Sequence, residues 1–216
     1  DTVLDRLCRP TTIRDLRYKR RRLERFGAVR FLQATNAAEI DAIFEALVEQ
    51  RRQRFGTMGR SNLLATSEAR DFYRAVAHEG LRGGPARLFG LSVDGAWIAT
   101  SYGLVHRGTF YYLIPTNLGG QWNASSPGLL VTAETIRWAS AQGLQRYDFT
   151  VGLMPYKRKF GVETQELREL IQARTLKGAA LKEIWRATDI AKIWLKTTSL
   201  FGSLQKARRF TGKLGL

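Results

Sequence analysis

Residues 86–93, 96–106 and 109–115 alternate apolar and polar side chains, and only Asp94-Gly95 and Arg107-Gly108 separate them. Asp-Gly between two alternating runs is a strong hairpin signal, because both central residues of a primed turn need positive φ. Two tight turns in succession leave one economical arrangement, an antiparallel three-stranded meander. Such a sheet needs further layers to cover its faces, and the flanking sequence supplies them. Ile40, Ile43, Phe44, Leu47 and Val48 form one stripe of a helix over residues 37–55, with Asn36 as its cap. Gly56 to Asn62 reads as a turn. Thr66 or Ser67 then opens a second helix reaching Leu81, with Phe72, Tyr73, Val76 and Ala77 facing inward. Residues 28–34 read as a half-buried strand. After the meander come a loop from Thr116 to Ser126, a helix from Pro127 to Gln142 stopped by Gly143, and a strand over 146–151. Two strands joined through a helix favour a parallel pair with a right-handed crossover. The expected fold class is therefore α/β (α+β), a mixed sheet combining an antiparallel meander with a parallel strand-helix-strand unit, flanked by helices. Ligands gather where the parallel strands of such a sheet separate.

The net charge of +16 invites a nucleic-acid reading, which its location tests. The first 30 residues hold ten Lys/Arg against four Asp/Glu, and residues 177–216 hold nine against two. The stretch between holds sixteen against thirteen, an ordinary globular balance. The basic parts are thus the two ends: a helix over residues 12–26 closed by Gly27, and a long helix from Lys177 interrupted near Gly202. Residues 165–174 read as one more strand. The domain division expected is 1–27, 28–175 and 176–216. Cys8 is the only cysteine, and with His78 and His106 the only histidines, a protein-bound metal is not expected. No apolar run is long enough to span a bilayer as a helix. Hydrophobic content of 44% excludes a disordered chain. The chain opens on Asp1 without an initiator Met, which suggests a fragment or a processed form.

The loop before the Pro127 helix reads Gln121-Trp122-Asn123-Ala124-Ser125-Ser126-Pro127-Gly128. Ser126 suits a helix cap, Pro127 suits the first helical position, and the small residues leave the backbone approachable. Free amides at a positive dipole end make an anion site, and an ordinary capped helix is the plainer alternative. In the strand over 146–151, Tyr147, Phe149 and Val151 share one face and Asp148 and Thr150 the other. His106 reads as an exposed turn residue, His78 as stabilising a helix terminus, Glu134 as a surface charge, and Trp97, Trp138, Trp185 and Trp194 as packing residues.

The Gln121 to Ser126 loop resembles the pyrophosphate loop of the GNAT acetyltransferase superfamily, whose pattern is Gln or Arg, two residues, Gly, one residue, Gly or Ala. Gln121 fits the first position, while Ala124 and Ser126 replace the two small residues. Ser126-Pro127-Gly128-Leu129-Leu130, Ala139 to Gly143, Tyr147-Asp148-Phe149, Gly152 and Pro155-Tyr156-Lys157 resemble the CelD-type branch, named for cellulose biosynthesis and related to FemAB peptidyltransferases. The resemblance covers roughly residues 12–175 and implies a bacterial, cytoplasmic acyltransferase that uses acetyl-CoA or another acyl-CoA. Branch members usually carry a further N-terminal GNAT-like half, so the resemblance implies that this chain corresponds to the C-terminal half only.

The resemblance implies that Leu113, Ile114, Gln121, Ala124, Ser125, Ser126 and Gly128 hold the coenzyme, the backbone of Leu113 to Thr116 polarising the carbonyl. It implies Asp148 as a group that orients or deprotonates an acceptor, against a buried salt bridge or turn contact. Tyr156 would be the acid for the departing thiol, against packing in an aromatic lid. Lys157, within Lys157-Arg158-Lys159, would hold a charged group, against a solvated loop. The acceptor implied is an amine or hydroxyl of a cell-envelope or polysaccharide precursor. Two rivals stand beside this: FemAB-like aminoacyl transfer from aminoacyl-tRNA, and a degenerate domain binding an anionic surface. The basic tail, with Leu181, Ile184 and Trp185 among Lys182 and Arg186, suits either docking on the domain or peripheral contact with an anionic inner membrane. Nucleic acid is the less favoured partner.

Overall fold

In a computed structural model, residues 2–58, 62–152, 154–168 and 170–197 are described. Helices α1 (Thr2–Leu7) and α2 (Pro10–Glu24) lead into β1 (Val29–Gln33), followed by α3 (Ala37–Met58) and α4 (Ser67–Glu79). The meander comes next, as β2 (Ala86–Val93), β3 (Ala96–His106) and β4 (Thr109–Asn117). A 3₁₀ turn over Gly120–Ser125 then enters α5 (Pro127–Ala141), which returns the chain to β5 (Arg146–Asp148). The five strands lie in sequence order, antiparallel from β1 to β4 and parallel between β4 and β5. This is the mixed, helix-flanked sheet that the sequence implies.

Both hairpin turns carry positive φ at their two central residues, +47° and +84° at Asp94-Gly95 and +45° and +71° at Arg107-Gly108. That is the primed geometry whose twist matches the strands. Alternation along the strands then feeds two cores. Leu88, Tyr102 and Ile114 meet Ile40, Phe44 and Leu47 of α3 on one face. On the other, Leu91, Ile98 and Ala99 meet Leu130, Val131 and Ile136 of α5 together with Leu16 and Leu23 of α2. Burying each such side chain contributes about 1.5–3 kcal/mol, so α2 is anchored by its apolar stripe while Arg14, Arg17 and Arg21 remain in water. Phe89, Phe110 and Trp138 interlock beneath α5, with ring centroids 4.8 to 5.7 Å apart.

Several expectations need correction. The 37–55 helix continues through Gly56 to Met58, where a turn was expected. Phe72 is 61% exposed, on the outer edge of α4. The strand expected over 146–151 stops at Asp148, because Thr150 turns left-handed at φ +57°. The described residues of 165–174 form no strand. Glu134 is no free surface charge: it pairs with Arg20 of α2 at 3.3 Å and Arg137 at 3.1 Å, joining α2 to α5. His78 Nε2 lies 3.0 Å from Asp41 Oδ1, so its partner is a side chain of α3.

Contacts divide the chain into two units, Asp1–Glu163 and Thr164–Leu216. The described part of the second is dominated by α6 (Leu176–Thr197). Leu181, Ile184 and Trp185 of α6 are exposed, so Trp185 is not a core residue. The side chain of Trp194 and the interruption expected near Gly202 lie outside the described residues.

Candidate functional site

The sheet opens between β4 and β5. Their parallel pairing runs only from Thr109↔Arg146 to Tyr111↔Asp148, after which β4 continues to Asn117 without that neighbour. Directly beyond the last pair, β4 is irregular toward β3 as well. Tyr102 pairs with Ile114 and Gly103 with Tyr112, so Leu113 is an extra residue without a cross-strand partner. A bulge of this kind frees backbone groups and re-aims the strand. Leu113 is 37% exposed, whereas the Ile114 side chain is buried against α3 and only its backbone lies at the split.

Chain departure at β5 is fixed by three residues. Asp148 Oδ1 accepts the Thr150 amide at 2.6 Å, which stabilises the left-handed turn of a β-branched residue that would otherwise avoid it. Lys157 is 8% exposed, and its ammonium donates to the carbonyls of Phe149, Thr150 and Val151 at 2.7, 3.3 and 3.2 Å. All three ammonium protons are thereby committed to the strand end. Burial pushes the Lys157 pKa down from its ordinary value, opposed by the nearby Asp148 charge. Tyr156 stacks edge-on against Phe149 at 6.3 Å. Burial raises its phenol above the ordinary value near 10, tempered by the Arg54 guanidinium, so the group stays protonated through neutral pH. Phe149 directly follows β5, so this ring contact places Tyr156 at the root of the split.

At the far end of β4, the 3₁₀ turn delivers the chain to α5. Ser126 adopts φ +46° and ψ +59°, and its hydroxyl reaches back to the Asn123 carbonyl at 3.4 Å, so it does not cap the helix as expected. Pro127 has no amide proton, and the Gly128 amide has no acceptor among the described residues. A Cβ on Gly128 would stand 2.6 Å from Asn117 Oδ1. Ser125 is fully buried with its hydroxyl unpartnered. Gln121 and Ala124 are exposed on the rim. Trp122 packs edge-on against Phe26 at 5.2 Å, so the end of α2 props this loop.

The structure therefore groups Leu113, Asp148, Tyr156 and Lys157 at the split, and Gln121, Ala124, Ser125, Ser126 and Gly128 at the loop. Sequence reading missed Asn117, Phe26 and Thr150. The φ of Thr150 has no residue-type signal, and the reach of Asn117 and Phe26 depends on tertiary packing. Among the described residues no group of His, Cys, Asp and Glu could hold a metal. No described helix is long and apolar enough to cross a membrane.

Residues 11–158 match the family model of the acetyltransferase (GNAT) domain. No curated protein matches in sequence. Similar solved structures include an aminoglycoside acetyltransferase from an uncultured soil metagenomic sample in complex with sisomicin, 12% identical, covering 71% of this chain and 99% of that one with TM-score 0.48. A predicted acetyltransferase with acetyl-CoA from Clostridium acetobutylicum is 14% identical, covering 67% and 96% with TM-score 0.48. A GCN5-related N-acetyltransferase from Ralstonia eutropha is 17% identical, covering 67% and 99% with TM-score 0.49.

Proposed function

Because the chain belongs to the acetyltransferase (GNAT) domain family, a family of acyl-transfer enzymes, we propose that it moves an acetyl group from acetyl-coenzyme A to an amine or hydroxyl of a cell-envelope or polysaccharide-related acceptor. The observation that carries this reading is the pairing of two features on one strand. β4 has an unpaired bulge at Leu113 where its parallel neighbour has left, and it leads into a helix start whose Gly128 amide is uncommitted. The residues fit a thioester coenzyme: the uncommitted Gly128 amide and the unpartnered Ser125 hydroxyl leave donors at a helix start, where a pyrophosphate binds, and the missing Cβ at Gly128 lets Asn117 pack against that turn.

The coenzyme supplies an activated carbonyl and a thiolate that leaves. Backbone groups at Leu113 and Ile114 polarise that carbonyl where charge develops. The Gly128 amide, the Ser125 hydroxyl and the positive end of α5 hold the pyrophosphate, with Gln121, Ala124 and Ser126 around it. Asp148 keeps Thr150 in place through Oδ1, and its Oδ2 orients the acceptor's nucleophile. As the acceptor's nucleophile bonds to the carbonyl carbon it gives its proton to Asp148, and as the carbon–sulfur bond breaks Tyr156 delivers a proton to the departing thiolate, both groups being reset by exchange with solvent. Lys157 fixes the strand end from which these groups project. The motif from Ser126 to Leu130 with Tyr147-Asp148-Phe149 favours the CelD-type branch, and a cytoplasmic location follows from the coenzyme.

Calorimetric titration with acetyl-coenzyme A tests the reading. A Kd of roughly 1 µM to 1 mM is expected for a substrate of this class, and absence of heat at the upper limit sinks the proposal. Gly128→Val, which crowds the helix start against Asn117, is expected to weaken binding about tenfold, or ~1.4 kcal/mol.

Exposed Leu181, Ile184 and Trp185 beside Lys182 and Arg186 support peripheral contact of α6 with an anionic membrane. The protein is expected to float with vesicles containing phosphatidylglycerol and to remain in solution with neutral vesicles. Equal flotation with both rejects the electrostatic contact.

A further inference from the structure

Two tyrosines, Tyr112 buried and Tyr147 half-buried, tie the split strands to α5. Tyr112 precedes the bulged Leu113, is 1% exposed, and lies with its hydroxyl 2.8 Å from Thr132 Oγ1. Thr132 Oγ1 donates to the Gly128 carbonyl at 2.8 Å. A threonine hydroxyl has one proton, so Tyr112 must be the donor in its bond to Thr132. The same accounting applies one turn on. Thr135 Oγ1 donates to the Thr132 carbonyl at 2.9 Å, hence Tyr147, 2.8 Å from Thr135 Oγ1, donates to it. Both phenols are pushed up by burial, which keeps the protons that these bonds require.

The chain of donors has a direction and an end point. It runs from β4, beside the bulge, through Thr132 to the carbonyl of Gly128, whose own amide opens the helix. A second chain runs from β5 through Thr135 to the next turn of the same helix. We propose that Tyr112, acting through Thr132, is a positioning residue that sets the helix-start amides relative to the bulged strand, so that the coenzyme's pyrophosphate and thioester are bound in register. This rests on the coenzyme reading above and extends it to groups that touch no substrate.

The test is calorimetric titration of the full chain with coenzyme A, with melting temperatures measured in parallel. Tyr112→Phe and Thr132→Val are each expected to raise Kd about three- to tenfold, the loss of one net hydrogen bond's worth of positioning. Their combination is expected to be no worse than Thr132→Val, because Tyr112 works only through Thr132. Thr132→Ser, which keeps the hydroxyl, restores binding. Thr100→Val supplies the comparison: it removes an equally buried hydroxyl, bonded to Gln50 at 3.1 Å on the opposite face of the sheet. It is expected to lower the melting temperature while leaving Kd within about twofold. A purely structural role predicts that all these variants lose stability and none changes Kd, and that result overturns the inference. A wild-type chain that binds no coenzyme A overturns the underlying reading instead, and this inference with it.

Discussion

Tyr156→Phe is expected to lower the rate of acetyl transfer by roughly 10²–10⁴, the usual loss when a positioned proton donor is removed. Coenzyme affinity should hardly change, since the ring remains and only the hydroxyl is deleted. Phe can keep the edge-on packing against Phe149, so the melting temperature should also hold. The readout is release of free thiol from acetyl-coenzyme A with a primary amine as acceptor, beside calorimetric Kd. A matching pH effect follows from the direction of the Tyr156 shift. Its phenol is raised above the ordinary value near 10 by burial, so it is protonated at neutral pH and loses its proton only above that value. The wild-type rate should therefore show no decline attributable to this group between pH 7 and about 10, with a fall beyond it that the Phe variant lacks. Unchanged turnover in Tyr156→Phe would return the residue to the aromatic packing seen at Phe149.

The meander was legible because its information is local. Asp94-Gly95 and Arg107-Gly108 dictate turn geometry by themselves, and the alternation around them dictates the faces. The parallel step to β5 followed from helix length and chain direction. The bulge at Leu113 was not legible, because it is a disagreement in register between two strands, and neither sequence marks it. Residues 165–174 show the converse. Leu167, Leu170 and Ile171 have strand-forming character but find no neighbouring edge among the described residues, and Leu170 is almost fully exposed. Periodicity proposes a strand, and only a partner makes one. At the loop, sequence marked Ser126-Pro127 as a helix start and placed the boundary correctly. It assigned the hydroxyl to capping, whereas the left-handed backbone of Ser126 turns that hydroxyl toward Asn123.

Charge shows the same division between what can be counted and what needs geometry. Glu134, a mid-helix residue with surface character, joins two arginines across α2 and α5, and Asp15 pairs with both Lys19 and Lys159. These half-exposed pairs contribute about 0–1 kcal/mol of stability each, but they select the docked position of an arginine-rich helix. Part of the basic N-terminal excess is thus balanced inside the acyltransferase unit.

Lys157→Met should cost about 2–4 kcal/mol of stability, read as a fall in melting temperature and in denaturant midpoint. The three consecutive cations at 157–159 look alike in sequence, but they occupy different environments. Arg158 and Lys159 are exposed, while the Lys157 ammonium is buried against three carbonyls. Met matches its length and apolar stem, so packing is nearly preserved and the lost term is polar. The carbonyl of Phe149 has the most to lose, being closest at 2.7 Å; Val151 is exposed and can bind water instead. Arg158→Met makes the comparison, with an expected change within about 0.5 kcal/mol because that side chain is in solvent. Activity should fall further in Lys157→Met than the population of folded protein accounts for, since Asp148 and Tyr156 flank the segment it holds. A substrate-binding Lys157 predicts the opposite pattern: unchanged melting temperature with a large rise in KM. The committed protons of the ammonium decide between the two, because a group already donating to three carbonyls must break the strand end before it can reach a ligand.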